Sequence, residues 1–280
     1  MPRSHHQPQH TSRTPARTPY RGRQELGQNL LLDKRFPAAM ADILRHAPPL
    51  PIVELGAGNG ALTTALLQLG LPVTAIELDE RAVLRLRRRF GGRVEVLHAD
   101  LLDVEHPGAH HILSNVPFGI TTPLLRALLS RQRWHTAVLL VQWEVARKRA
   151  AVGGTTLLTA SWWPWYDFEL GPRVPATAFT PVPAVDGGIL VIRRREHPLL
   201  GQRERGAYQR LVRELFTGPG RGLAEGLRRR LPARAATQWL RRRGLPPDAL
   251  PRQLSAEDWV SLFPLLTADR TVGRRPENHS

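Results

Sequence analysis

A chain of 280 residues with 41% hydrophobic content can form one large domain, or a medium domain plus a small one. It has no cysteine, which excludes disulfides, cysteine-based zinc sites and cysteine nucleophiles, and it has no run of 18 apolar residues, so no transmembrane helix is expected. Lys and Arg outnumber Asp and Glu by 40 to 24, a formal charge of +16 that favours a polyanionic partner, most simply nucleic acid. Nearly all of the basic residues are arginine, which grips phosphate bidentately and stacks on bases, and so suits RNA.

Residues 1–23 are of low complexity and basic, with Arg3, Arg13, Arg17, Arg21 and Arg23 among Pro, His, Gln and Thr. Such a segment buries no core, and it is expected to be a disordered arm that either contacts phosphate or is a tolerated tail. It carries no apolar stretch, so it is not a secretory signal, and a cytoplasmic location is expected. Gly27-Gln28-Asn29-Leu30-Leu31-Leu32-Asp33 places two amides beside a glycine, as suits a hydrogen-bonding turn. A helix over 33–45 follows and ends before Pro48-Pro49.

A strand over 51–55 runs into Gly56-Ala57-Gly58-Asn59-Gly60 and a helix over 61–69. Strand, glycine-rich turn and helix form a nucleotide-cradling arrangement, in which bare backbone approaches a ligand closely. The spacing is G-x-G-x-G, neither the dinucleotide fingerprint nor a P-loop. The next strand, 73–77, ends in Glu77, 21 positions after Gly56 and so placed to accept from ribose hydroxyls. Its alternative role is a helix cap, but Asp79 is better placed to cap the helix running to Phe90. A third strand, 94–97, leads to Asp100, which either holds an adenine amino group or caps the next turn.

The organising stretch is Ser114-Asn115-Val116-Pro117-Phe118-Gly119, between the apolar His111-Ile112-Leu113 and a helix start at Thr121-Thr122-Pro123. Ligands of open α/β sheets bind just outside such strand ends. Pro117 fixes its own φ and pushes Val116 to an extended conformation. The Asn115 amide and the Val116 carbonyl then face one point beside the Phe118 ring, which suits a flat base carrying an amino group. The plain alternative is a strand-to-helix turn with an Asn cap and a core Phe. A strand over 137–142, a helix over 143–150, a strand-like aromatic run Trp162–Leu170 read mainly as core, a stiff loop Phe179-Thr180-Pro181-Val182-Pro183 and a strand over 188–194 complete an open α/β sheet. After Glu196 the pattern changes to short amphipathic helices over 208–216, 223–231, 235–243 and 256–266. This small helical domain carries Arg228-Arg229-Arg230 and Arg241-Arg242-Arg243, read as phosphate contacts rather than solvated helix faces. The tail after Thr267 is polar, no internal repeat occurs, and no metal-ligand cluster is visible.

The set Gly27-Gln28-Asn29, Glu54-Leu55-Gly56-Ala57-Gly58-Asn59-Gly60, Glu77, Asp100 and Asn115-Val116-Pro117-Phe118 resembles the ribosomal RNA adenine N6-methyltransferases. Within that superfamily the chain is most similar to the Erm family, which methylates an adenine of 23S rRNA and gives macrolide–lincosamide–streptogramin B resistance. Phe179-x-Pro181-x-Pro183-x-Val185 and Leu254-Ser255-x-x-x-Trp259-x-Ser261-Leu262-Phe263 extend the resemblance across residues 24–267. It implies a Rossmann-like class I methyltransferase domain over 24–195 with a mostly parallel seven-stranded sheet, a helical RNA-binding domain over 196–267 and a flexible tail over 268–280. The implied cofactor is S-adenosylmethionine, and the implied partner is 23S rRNA, met before or during ribosome assembly by a monomer, with no membrane. Asn29 and Leu31 would border the methionine end of the cofactor, Gly56 would let it lie against the loop, Glu77 would hold its ribose and Asp100 its adenine. Asn115 would touch cofactor and target base, Val116 and Pro117 would complete the catalytic loop, and Phe118 and Phe179 would stack on the base from opposite sides. Two departures stand out: Phe118 replaces a frequent Tyr, and Gly119-Ile120-Thr121-Thr122-Pro123 differs from the commoner continuation. Both bear on whether one or two methyl groups are added. The rival resemblances are the small-subunit rRNA adenine dimethyltransferases, DNA adenine methyltransferases, and a non-catalytic nucleic-acid-binding protein on the same fold.

Overall fold

Short apolar runs separated by amphipathic segments dictate the architecture. The computed structural model describes residues 29–267 apart from Glu105, Gln132 and Arg221. The arm over 1–23, Gly27, Gln28 and the tail over 268–280 lie outside the described residues. In chain order come β1 (Leu30–Leu31), α1 (Arg35–Arg45), β2 (Ile52–Leu55), α2 (Ala61–Leu66), β3 (Val73–Glu77), α3 (Glu80–Phe90), β4 (Glu95–His98) and β5 (His110–Asn115). They are followed by α4 (Thr121–Ser130), β6 (Trp134–Gln142), α5 (Trp143–Arg149), α6 (Leu157–Trp162), β7 (Tyr166–Val174), β8 (Phe179–Thr180) and β9 (Gly187–Arg194).

Seven strands hydrogen-bond in the order β4-β3-β2-β5-β6-β9-β7. All pairs from β4 to β6 are parallel, and β9 is antiparallel to both of its neighbours. The order reverses between β2 and β5, which is where an open α/β sheet leaves a crevice beyond its strand ends. The central strands are buried almost throughout because helices cover both faces. Asp79 caps α3 as expected, its side chain accepting from the Arg81 amide at 2.8 Å.

Two expectations are corrected. The aromatic run does not begin as a strand: Thr156 caps α6 by accepting from the Thr159 amide at 3.2 Å, so Trp162 ends a helix and the strand starts at Tyr166. Trp165 and Tyr166 are core residues, with Tyr166 stacked on Trp134 at 5.0 Å between ring centroids. The loop expected at Phe179-Thr180 is instead β8, which pairs antiparallel with β1.

Beyond β9, α7 (Arg205–Thr217), α8 (Leu223–Arg228), α9 (Ala233–Arg242) and α10 (Ala256–Thr267) form a helical lobe. One apolar cluster runs from Ile112, Leu139 and Ile192 of the sheet through Trp165 and Tyr208 to Leu227, Trp239 and Trp259. Tyr208 fastens the lobe: its hydroxyl donates to the Ala160 carbonyl at 2.8 Å and its ring meets Trp165 and Phe263 edge-on. The lobe is thereby fused to one face of the sheet, which fixes its orientation to the strand ends.

Gly60 is the tightest point of the glycine turn, with φ of +78° and space for a Cβ only 2.7 Å from the Phe90 ring. Gly60→Ala is expected to lower stability by about 1–3 kcal/mol, through left-handed strain and the clash with Phe90. Thermal unfolding followed by circular dichroism should show a drop of several degrees, at roughly 2–4 °C per kcal/mol for a chain of this size. An unchanged melting temperature would contradict this account of the turn.

Candidate active site

A cleft of about 670 Å³ opens over the ends of β2, β3, β4 and β5. Asn29, Leu31, Gly56, Glu77, Asp100, Asn115, Val116, Pro117 and Phe118 all line it, although they come from five separate segments of the chain. Phe179 does not line it.

Backbone bonds hold the glycine turn against β3. The Gly56 and Ala57 amides both donate to the Ile76 carbonyl, at 2.8 and 3.0 Å. Glu77 is buried, and its carboxylate accepts three amides: Gly58 on Oε2, and Leu78 and Asp79 on Oε1, each at 2.8 Å. A carboxylate held this way is fixed in direction without any side-chain partner. Gly56 has φ of +72°, and a Cβ there would meet only the Leu101 side chain, at 3.5 Å, so bare backbone forms that part of the wall. Asp100 accepts from the Leu102 amide at 2.9 Å, so it caps the following turn while it lines the cleft.

The organising stretch is tied on three sides. Ser114 is buried and its hydroxyl donates to the Leu55 carbonyl at 2.7 Å, joining β5 to the start of the glycine turn. The Val116 amide donates to the Leu140 carbonyl at 3.0 Å, joining the stretch to β6. Asn115 Nδ2 donates to the Asn29 carbonyl at 2.8 Å. A carbonyl can accept only from the nitrogen of that side chain, so the bond also fixes where Asn115 Oδ1 points and leaves it an acceptor on the cleft wall.

The two rings expected to stack on the base stand next to each other. Phe179 is 1% exposed, drawn inside by the pairing of β8 with β1. Its ring meets Phe118 edge-on, 6.4 Å between centroids and inclined at 71°. Phe118 alone offers ring surface to the cleft, and Phe179 supports it from behind. The two arginine triplets are also partly committed elsewhere. Arg229 pairs with Glu225, Arg230 with Glu214 and Arg243 with Asp258.

Sequence reasoning gave no role to Glu54, whose signal was an acid inside the apolar run Ile52-Val53-Glu54-Leu55. It is buried in the cleft wall, with Oε2 accepting from the Thr63 hydroxyl at 2.5 Å and Oε1 without any partner. Burial pushes its carboxyl up to about 8; the Thr63 hydrogen bonds oppose that, and the nearby Glu77 charge adds to it. Glu77 and Asp100 make the cleft acidic in a chain of net charge +16.

A raised carboxyl pKa means that the folded state holds a proton the unfolded state has lost, between the ordinary 4.5 and about 8. Stability therefore falls as pH rises through that window. Glu54→Gln removes the titrating group, so the variant should melt near the unmodified protein at about pH 5 and clearly above it at about pH 9. A difference that does not change with pH would show that Glu54 titrates normally.

Known proteins fall in line with this geometry. The family model described as ribosomal RNA adenine dimethylase matches residues 20–268. The chain is 58% identical over 256 residues to the mycinamicin-resistance protein MyrB of Micromonospora griseorubida, covering 91% of this chain and 81% of that protein. It is 45% identical over 210 residues to an rRNA adenine N-6-methyltransferase of Corynebacterium diphtheriae, covering 74% and 83%. The crystal structure of the 23S rRNA methyltransferase ErmE superposes with a TM-score of 0.79 at 33% identity, covering 85% of this chain and 99% of that one. With most of its length matched in sequence and in fold, the chain belongs to the ribosomal RNA adenine dimethylase family and, within it, to the Erm methyltransferases.

Proposed function

We propose that this protein transfers a methyl group from S-adenosylmethionine to N6 of a specific adenine in 23S rRNA, and so protects the ribosome from macrolide, lincosamide and streptogramin B antibiotics. The observation that carries the reading is the orientation of Asn115, whose Nδ2 is held by the Asn29 carbonyl so that Oδ1 is presented as an acceptor beside Phe118. MyrB is named for mycinamicin resistance, and ErmE is named as a 23S rRNA methyltransferase. Among the described residues no helix is long and apolar enough to cross a membrane, and the reading places the protein in the cytoplasm with its rRNA.

The cleft fits the cofactor. Its volume suits a nucleoside-sized ligand, its glycine wall admits close approach, and Glu77 and Asp100 complement a cationic molecule. Glu77 would hold the ribose hydroxyls and Asp100 the adenine amino group, Asn29 and Leu31 would border the methionine end, and Gly56 would let the cofactor lie against the loop. S-adenosylmethionine supplies, when bound, an electrophilic methyl group on a positively charged sulfur.

The protein's task is to make a poor nucleophile ready. The lone pair of the adenine N6 amine is conjugated into the ring. Asn115 Oδ1 and the Val116 carbonyl would accept its two hydrogens, favouring a pyramidal nitrogen with its lone pair turned towards the donor. Pro117, with φ of −54° and ψ of 125°, holds the loop extended so that both acceptors stay aimed at one point. This is catalysis by positioning and preorganised dipoles, without a covalent enzyme intermediate. Taking the base out of its stack costs a few kcal/mol, and stacking on Phe118 offsets roughly 1–3 kcal/mol of that. We assign residues 24–195 to catalysis and the helical lobe over 196–267 to gripping RNA.

Asn115→Ala removes one acceptor and the bond to Asn29 together. Methyl transfer to 23S rRNA should fall by about 10²–10³, as for other single positioned polar contacts at a reacting centre. RNA affinity should persist, because arginine contacts to phosphate supply most of it. Labelled-methyl transfer measured beside an RNA-binding assay checks both halves, and full transfer by the variant would remove Asn115 from the reacting centre.

A further inference from the structure

Among the described helices, α3 carries the most arginines without a carboxylate partner, and it lies away from the helical lobe. Its exposed face carries Arg81, Arg85, Arg87, Arg88 and Arg89 against the single acid Glu80. No carboxylate among the described residues pairs with any of them, whereas half of the residues in the two C-terminal triplets are held in ion pairs. Arg87 donates to the Val96 carbonyl. Arg89 donates to the Asn59 carbonyl at 2.7 Å and to the Thr64 hydroxyl at 3.0 Å, which staples α3 to the glycine turn. Among the described residues, the side chains of Arg81, Arg85 and Arg88 have no hydrogen-bond or carboxylate partner.

The folding of α3 does not call for this arrangement. Arg81 and Arg85 stand four residues apart, and Arg85 and Arg88 three, so like charges face each other along one line of the helix. The helix dipole favours basic residues in the last turn only, and Arg81 and Arg85 lie before it. A second depression, of about 430 Å³, is walled by Arg85, Arg88 and Arg89 on one side and by Gly58 and Asn59 on the other. Gly58 and Asn59 also line the main cleft, so the arginine-walled depression adjoins the cleft across the glycine turn.

We propose that Arg81, Arg85 and Arg88 form a phosphate track that holds the RNA backbone flanking the target adenosine, with the depression beside Asn59 seating one phosphate at the edge of the cleft. The assignment rests on the proposed action on 23S rRNA. It adds a second grip to that of the helical lobe, from a helix packed in the other core cluster of the sheet, so that the strand is held on both sides of the base to be methylated. Guanidinium groups without protein partners are available to phosphate oxygens, and they carry no base information.

The test uses the full chain with Arg85→Gln and Arg88→Gln combined, two exposed positions with no partner to lose. Affinity for a 23S rRNA fragment is measured between about 50 and 200 mM salt. Losing two phosphate contacts should flatten the slope of log affinity against log salt by roughly 1.4–1.8. The KM for RNA should rise severalfold, with kcat, S-adenosylmethionine affinity by calorimetry and melting temperature unchanged. The matching pair Arg85→Lys and Arg88→Lys should recover most of the slope, since it keeps the charges. An unchanged slope and KM in the glutamine variant would overturn the proposal, as would lysine behaving like glutamine. Lost binding to phosphatidylserine vesicles with RNA binding intact would overturn it in favour of a lipid surface. If the unmodified protein transfers no methyl to 23S rRNA yet the slopes still differ as described, the track stands and the reading of function fails.

Discussion

A single hydrogen bond, from the Asn115 amide nitrogen to the Asn29 carbonyl, closes the cleft between segments 86 residues apart. Its net worth to stability is only about 1 kcal/mol. What it settles is direction, since the bonded nitrogen fixes where the amide oxygen points. Asn29 is delivered there beside β1, and β1 is held by β8, which pairs Leu30 with Thr180. The Ser114 hydroxyl on the Leu55 carbonyl and the Gly58 amide on Glu77 hold the other walls to the same frame. Each of these contacts joins residues that the sheet order has already brought side by side.

Charge is sorted over this frame by sign. The interior of the cleft gathers Glu77 and Asp100, while the exposed face of α3 beyond the glycine turn is almost wholly basic. One side of the turn therefore complements a cationic cofactor and the other a polyanion. Buried carboxylates are tolerated where amides or a hydroxyl bond them, as at Glu77 and at one oxygen of Glu54. The remaining oxygen of Glu54 has no partner among the described residues, and its burial keeps the carboxyl protonated up to a raised pKa of about 8.

Much of this was legible in the sequence, for local reasons. The parallel strands are short apolar runs with glycine or proline at their ends, and the helices show their period, so the sheet, the four C-terminal helices and the Asp79 cap could be read directly. Motifs at strand ends fall together in an open α/β sheet, which is why Gly56, Glu77, Asp100 and Asn115 converge. Features set by distant partners were not legible. Strands of two residues have no period, so β1 and β8 read as a turn and a loop, and the burial of Phe179 followed from missing that pairing. The aromatic run was misread because Thr156 starts a helix that composition does not announce. The commitment of Arg229, Arg230 and Arg243 to carboxylates depends on partners up to 16 residues away that no charge count reveals.

The central claim is that this cleft turns one adenine amine of 23S rRNA towards a methyl donor. Mass analysis of both large- and small-subunit rRNA, from a macrolide-sensitive strain with and without the gene, tests it most directly. The account predicts added methyl mass on N6 of one adenine in 23S rRNA, no change in the small-subunit rRNA, and growth under macrolide only in the strain carrying the gene. New methylation confined to the small-subunit rRNA, or none in either, would contradict it.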